Sequence, residues 1–310
     1  MVIPPVERRL AGAALGIALD RLLGEPPAGC PHPVAMLGSA LGALEERTYR
    51  DDRRAGLFHT AAGVTLGAVA GGAVRSTTTA TAACVAGRML GEVALDIGLL
   101  LTDGDLEGAR MALRSLAGRD ATDLDEAGVV RAVVESVAEN TVDAVVAPAL
   151  WAAALGPVGA GAHKASSTLD SMVGHHSERY ERFGWASARL DDALAWVPAR
   201  ATALLVAAAR PRRARQVLAT VRGDSPAHPS PNAGVVEAAF AAALSVRLGG
   251  TVRYGDRVEQ RPLLGDGRPP SGADIRHAVR LSSDVSWLLA GALGAGALAA
   301  RSRKGMLGRR

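Results

Sequence analysis

Residues 127–148 read AGVVRAVVESVAENTVDAVVAP, and the fold of the chain turns on their pattern. Arg131, Glu135, Glu139 and Asp143 follow one another at four-residue steps, which on a helix gathers them into one polar stripe. Val130, Val133, Val134, Val137, Val142 and Val145 occupy the remaining faces, so the helix is built for burial and not for a solvated surface. Buried carboxylates are costly unless they are paired, hydrogen-bonded or holding a cation. Arg131 neutralises only one of the three. Two readings stay open: a structural ion pair between Arg131 and Glu135 with Glu139 and Asp143 facing water, or Glu139 and Asp143, with Asn140 beside them, holding Mg²⁺ through oxygen ligands.

The rest of the chain agrees with a helical scaffold. Its 310 residues are 48% hydrophobic, mostly Ala, Leu and Val, with 36 Gly and only 3% aromatics. That mixture suits helices packed through small residues better than strands, and the fold class is all-α. Apolar segments fall at 10–23, 57–74, 80–101, 144–162, 201–209 and 285–300. A membrane span needs about 20 predominantly apolar residues, and most of these are shorter, Gly-rich or interrupted by charge, so a soluble bundle with buried helices is the alternative. The expectation is a multi-pass helical membrane protein, a single domain over residues 1–310, with long polar loops at 24–56, 102–143, 163–197 and 223–284 between Ala/Gly-rich apolar helices. Mean hydropathy is low, at +0.14.

Formal charge is +4, and the basic residues cluster at 210–215 (RPRRAR) and 301–310 (RSRKGMLGRR). Beside apolar segments such clusters mark a cytoplasmic membrane face, and no nucleic-acid partner is expected. Cys30 and Cys84 fit neither a disulfide framework nor a CxxC motif, which suits a reducing interior. Arg8 and Arg9 precede an apolar run that Asp20 and Arg21 interrupt, so the N-terminal segment reads as part of the mature protein.

A second polar stretch, His163 to Arg200, packs Lys164, Ser166, Ser167, Thr168, Asp170, Ser171, His175, His176, Glu178, Arg179 and Arg182 into about twenty residues. Lys and Arg among hydroxyls and imidazoles are groups that grip phosphate oxygens. Adjacent His175 and His176 point apart on a helix and argue against a shared metal. Asp191 and Asp192 either pair with Arg189 and Arg200 or face substrate. In HPSPNAG, Asn232 precedes a helix beginning near Gly234 and either caps it or marks an anion-accepting N-terminus. His32, fixed between Pro31 and Pro33, either presents a functional imidazole or stiffens a loop. No GxxxxGK[ST] loop, credible dinucleotide fingerprint, GxSxG elbow or CxxC pair occurs.

Five stretches together resemble the CobD/CbiB family of cobalamin biosynthesis: LDRLLGEPP followed by HPV (19–34), GRDATDLDE (118–126), VVESVAENTVDAVVAP (133–148), KASSTLDSMVGHHSERYERFGWASARLDD (164–192) and HPSPNAG (228–234). The resemblance implies a multi-pass protein of the bacterial inner (cell) membrane. It also implies a ligase that joins (R)-1-aminopropan-2-ol O-phosphate, or free aminopropanol, to adenosylcobyric acid with ATP and Mg²⁺, giving adenosylcobinamide phosphate. Carried onto these residues, Glu135, Glu139, Lys164 and Asp170 would be catalytic. His32, Asn140, His175, Arg179, Asp192 and Asn232 would bind substrate or phosphate, and Glu139 and Asp143 would hold the metal. Partners would be the corrinoid, the amine, the bilayer and other corrin-pathway enzymes. The rival is a membrane scaffold or carrier of corrin intermediates without catalysis of its own.

Overall fold

The computed structural model describes residues 3–24, 32–116, 121–175, 177–254 and 257–307. Cys30 and His176, and parts of the 19–34 and 118–126 stretches, lie outside the described residues. In chain order the elements are α1 (Val6–Leu23), α2 (Pro33–Thr48), α3 (Arg53–Val74), α4 (Thr77–Cys84), α5 (Gly87–Thr102), α6 (Leu106–Leu113), α7 (Glu126–Thr141), α8 (Ala147–Leu155), α9 (Pro157–Leu169), α10 (Trp185–Ala209), α11 (Ala214–Asp224), α12 (Ala233–Leu244), β1 (Leu248–Tyr254), β2 (Arg257–Leu264) and α13 (Gly272–Leu307). Two π-helical turns, Val142–Val146 and Asp170–Gly174, interrupt the helices. The chain forms two compact units, each assembled from separate segments. One comprises Met1–Ala86, Asp143–Ala195 and Leu289–Arg310, and the other Gly87–Val142 and Trp196–Leu288.

Glycine sets the packing of the first unit. Gly63, Gly67 and Gly71 recur every fourth residue on α3 and lie against α9. A Cβ on Gly67 would stand 2.5 Å from the Gly161 carbonyl oxygen, and one on Gly161 would clash with the Gly67 carbonyl. The two backbones therefore touch directly, as small residues permit between apolar helices. On α1, Gly12 and Gly16 meet Thr77 and Thr81 of α4 in the same way. Gly156, at φ +69°, separates α8 from α9, and Pro157 then starts α9. The segment 144–162 is consequently not one continuous span. Nor is 80–101, which breaks between Cys84 and Gly87.

In the second unit α12 packs against α7, α11 and an antiparallel hairpin, β1–β2. The pairing runs Leu248 to Leu264 and Gly250 to Arg261, with an irregularity at Gly249, where φ is +85°. This hairpin is an addition to the all-α expectation. The stretches 102–143 and 223–284 are also not long loops. They hold α6, α7, α12, the hairpin and the start of α13. Polar residues there are carried on regular elements because their backbone donors are satisfied by helix and ladder bonds.

Among the described residues, three helices are long and apolar enough to cross a membrane: Arg53–Val74, Trp185–Ala209 and Gly272–Lys304. They contain the apolar segments 57–74, 201–209 and 285–300. Only 28% of the α3 apolar window is buried, and Leu57, Phe58, Leu66 and Val69 on that helix are exposed. Trp196, Val197 and Leu204 on α10 and Leu298 on α13 are exposed as well.

If α3 and α9 depend on backbone contact, Gly161→Ala lowers stability by about 1–3 kcal/mol through overpacking. Gly291→Ala, with nothing within 4 Å of the added methyl, is neutral or raises stability by up to about 1 kcal/mol. Thermal melting of the detergent-purified variants reads the difference, and equal melting of the two would remove the packing argument.

Candidate functional site: two groups of carboxylates

The second unit gathers three glutamates around two arginines, and two of the three, Glu135 and Glu237, are fully buried. Glu135, one helical turn after Arg131 on α7, is fully buried, and its Oε1 accepts a 2.8 Å hydrogen bond from the Gly249 N–H. The backbone irregularity of β1 aims that amide. Arg131 stands 3.9 Å from the same Oε1 and donates at 2.9 Å to the Thr251 carbonyl. The Arg131–Glu135 pair thus exists, but the short contact to Glu135 comes from the hairpin backbone. One turn further, Glu139 meets Arg261 of β2 at 3.7 Å. Arg261 also stands 3.8 Å from Glu237, a fully buried carboxylate on α12.

His228 completes this group. His228 Nδ1 meets the Ser230 N–H at 3.1 Å and the Ser230 carbonyl oxygen at 3.3 Å. Nε2 faces Glu237 Oε1 at 3.6 Å. Burial, and then the nearby Arg261 charge, hold the imidazole below its ordinary pKa, so it is neutral at pH 7. Burial pushes the Glu237 carboxyl well above the usual carboxylate range, helped by the charges of Glu139 and Glu135. Asn232 does not cap α12 with its side chain. Its Oδ1 accepts from Arg200 at 3.1 Å, and the Ser230 hydroxyl takes the Ala233 N–H instead. Asn140 donates to the Ser136 carbonyl, within its own helix.

The first unit gathers aspartates at its two π-helical turns. Asp143 lies in one, Asp170 opens the other, and Asp191 on α10 is within electrostatic reach of both and of Asp192. The Asp170 carboxyl folds over Gly174, where a Cβ would clash with it. Burial, reinforced by the Asp192 charge, pushes Asp170 up to about 6. π-helical turns widen a helix and recur at functional sites. Lys164 is half-buried on α9, next to the buried His163.

Arg179 and His175 join an aromatic cluster in the same unit. The Arg179 guanidinium lies over the rings of Tyr49 and Tyr180 and donates to Glu45 at 3.3 Å, while the Tyr180 hydroxyl donates to Glu45 at 2.7 Å. His175 is exposed and edge-on to Tyr180. His32 is the N-cap of α2, its Nδ1 accepting from the Val34 N–H at 3.3 Å. Glu139 falls in the second unit and Asp143 in the first. Among the described residues, no three His, Cys, Asp or Glu side chains group as a metal-ligand set.

Glu237, His228 and Arg261 were not singled out from sequence. Glu237 carried a signal, being the one charged residue in the otherwise apolar run AGVVEAAFAAAL. Arg261 carried none, because Pro262 and the glycines that follow read as a loop.

Buried acidic groups lie on a helical scaffold whose described residues include three span-length helices. The chain belongs to the CobD/Cbib protein family, whose model matches residues 13–282. It is 48% identical over 294 residues to the cobalamin biosynthesis protein CobD of Mycobacterium tuberculosis (strain CDC 1551 / Oshkosh), covering 90% of this chain and 93% of that one. It is 40% identical over 291 residues to the protein of the same name from Pelobacter propionicus, covering 86% and 89%. Over 182 residues it is 50% identical to that of Rhodobacter capsulatus, with 58% of each chain covered. No solved structure matches. The family's role, and with it the chain's, lies in cobalamin biosynthesis.

The Asp170 shift gives a signed expectation. A carboxyl whose folded pKa is about 6, against 3.8 ordinarily, stabilises the fold only when protonated. That contribution is complete below pH 3.8 and is lost as pH rises to 6. Asp170→Asn therefore melts higher than the parent at pH 7.5, by at most about 3 kcal/mol. The gap closes as pH falls toward 4. Melting curves from pH 4 to 8 in a chelating buffer test this, and parallel curves would contradict it.

Proposed function

We propose that this chain is an amide-forming ligase, an adenosylcobinamide-phosphate synthase, and a multi-pass protein of the bacterial inner membrane. It would join (R)-1-aminopropan-2-ol O-phosphate, or free aminopropanol, to adenosylcobyric acid with ATP. The observation that carries this reading is the set of glutamates held out of water on α7 and α12 of a CobD/Cbib family member. A scaffold or carrier has no evident use for carboxylates kept beside a neutral imidazole and an arginine, whereas an acyl-transfer site needs groups that take and hold protons.

A carboxylate does not condense with an amine in water until its oxygen becomes a leaving group, and ATP with Mg²⁺ supplies the phosphoryl group that makes it one. The residues fit a hydrated Mg²⁺. That ion takes one or two carboxylates and completes its shell with water and phosphate oxygens, so it needs no cage of three protein ligands. Asp143, Asp170 and Asp191 of the first unit offer such oxygens. Lys164 would neutralise phosphate charge there, a role suited to a point cation on a flexible stem. Exposed apolar residues on α3, α10 and α13 would face lipid.

Detergent-purified protein incubated with adenosylcobyric acid, aminopropanol phosphate, ATP and Mg²⁺ is expected to form the condensed corrinoid, read by mass spectrometry. Lys164→Ala and Glu139→Ala each lose about a hundredfold or more in rate. Folded protein that forms no product would return the scaffold reading. In membranes, the chain is expected to resist alkaline carbonate and yield only to detergent, and release by carbonate alone would end the multi-pass reading.

A further inference from the structure

At the end of α10 the second unit changes character within a few residues. The outward side of that helix is apolar as far as its last turn, with Val197, Leu204 and Ala208 exposed along one stripe. Arg210 then follows, and its guanidinium donates to Asp284 of α13 at 2.8 Å. Asp284 is the last charged residue before α13 turns apolar at Val285, and Trp287, one turn on, is exposed. Two of the span-length helices thus have polar ends at one level, pinned by an ion pair with a tryptophan beside it, which is how helices end at a membrane–water interface.

The next helix, α11, starts just past that level and has two unlike faces. Val217 is fully buried on the inner one. Arg215, Leu218, Ala219 and Arg222 make the outer one and are all exposed, with Arg212 one turn before them. Leu218 is 45% exposed between two arginines. Among the described residues, Arg212, Arg215 and Arg222 have no ion-pair partner, and Arg213 reaches only the Ala242 carbonyl, at 3.4 Å. Asp224, the acidic residue of α11, accepts the Gly265 N–H instead. Unpaired guanidinium groups this close together repel one another, so the charge on this face adds nothing to the fold.

We propose that the outer face of α11 is a docking surface for anionic phospholipid headgroups, in which Arg212, Arg215 and Arg222 hold lipid phosphates and Leu218 enters the edge of the acyl region between them. A leucine flanked by arginines is the pattern of a helix lying in the interface, where long side-chain stems cover apolar surface and their charged heads reach outward. The guanidinium fork gives phosphate oxygens paired N–H bonds. Nucleic acid would meet the charge but leave Leu218 in water. An acidic protein would meet it too, but gives no reason for the face to begin where two spans end.

The proposal rests on the multi-pass membrane reading and not on the ligase chemistry. The full chain is placed in nanodiscs of phosphatidylcholine alone and of phosphatidylcholine mixed with phosphatidylglycerol, and digested with trypsin. Cleavage after Arg215 and Arg222, timed by mass spectrometry, is expected to slow about tenfold or more with the anionic lipid. Cleavage after the exposed Arg114 in the same digests keeps its rate. In native mass spectra of the detergent-extracted chain, the parent is expected to retain phosphatidylglycerol over phosphatidylcholine by roughly tenfold. Arg212→Gln, Arg215→Gln and Arg222→Gln combined lose that preference, and Arg114→Gln keeps it.

Unchanged cleavage after Arg215 and Arg222, or equal slowing at Arg114, would overturn the surface, as would a full lipid preference in the triple variant. Protection in phosphatidylcholine nanodiscs by inorganic phosphate alone, or by polyglutamate, would overturn it in favour of a free anion or an acidic protein. A chain that enters neither nanodisc, and that carbonate strips from membranes, would end the multi-pass reading and this proposal with it.

Discussion

A carboxylate moved out of water is destabilising by several kcal/mol unless donors or a cation meet it, and Glu135 and Glu237 are both excluded from solvent. The local build of the second unit follows from that requirement. Glu135 is met by a backbone amide, and the amide is available only because β1 departs from regular pairing at Gly249. At φ +85°, and with the Pro262 carbonyl where a Cβ would lie, that position admits glycine and little else. Glu139 and Glu237 share Arg261 from the opposite strand. The hairpin therefore acts as the polar lining for two apolar helices, supplying one N–H and one guanidinium where α7 and α12 have none to spare.

The first unit meets its own constraint differently. Its helices approach until backbones touch, at Gly67 against Gly161 and at Gly71 against Pro157. The aspartates at the π-helical turns are half-buried and have one another as neighbours. A π-helical turn inserts an extra residue and re-aims the side chains after it.

How much of this was legible in the sequence follows from where the information resides. The helix carrying Glu135 and Glu139 was readable because its valines and its polar stripe each keep a helical period. The ends of α8 and α9 were harder: Gly156 and Pro157 sit inside a run that hydropathy averages into a single segment. The hairpin was missed because Gly249, Gly250, Pro262 and Gly265 dominate its ends and read as loop, while the pairing between them is a long-range fact. Arg179 shows what a local window leaves out: its surroundings in the sequence suggest phosphate, and Tyr49 and Glu45, about 130 residues away, add an aromatic and acidic nest that no local window contains. His228 and Arg261 belong to the same class, since each gains meaning only from Glu237.

Mean hydropathy of +0.14 argues against a membrane protein only if polar residues are assumed to face outward. Here fully buried positions include Glu135, Glu237, Ser166, Ser187, Thr81, Thr202 and Ser286, while Phe58, Val69, Leu204 and Leu298 are exposed. Water penalises that distribution, because exposed apolar area gains nothing and each buried polar group must find a partner. In hydrocarbon the outward leucines and valines are at home. Thr81, Thr202 and Ser286 bond to carbonyls four residues earlier, and Ser187 pairs with the Thr60 hydroxyl, so burial leaves those four hydroxyls satisfied. An average over the chain cancels the two populations against each other. The sidedness that separates them is the property a bilayer selects, and it is visible only once each residue has been assigned an inside or an outside.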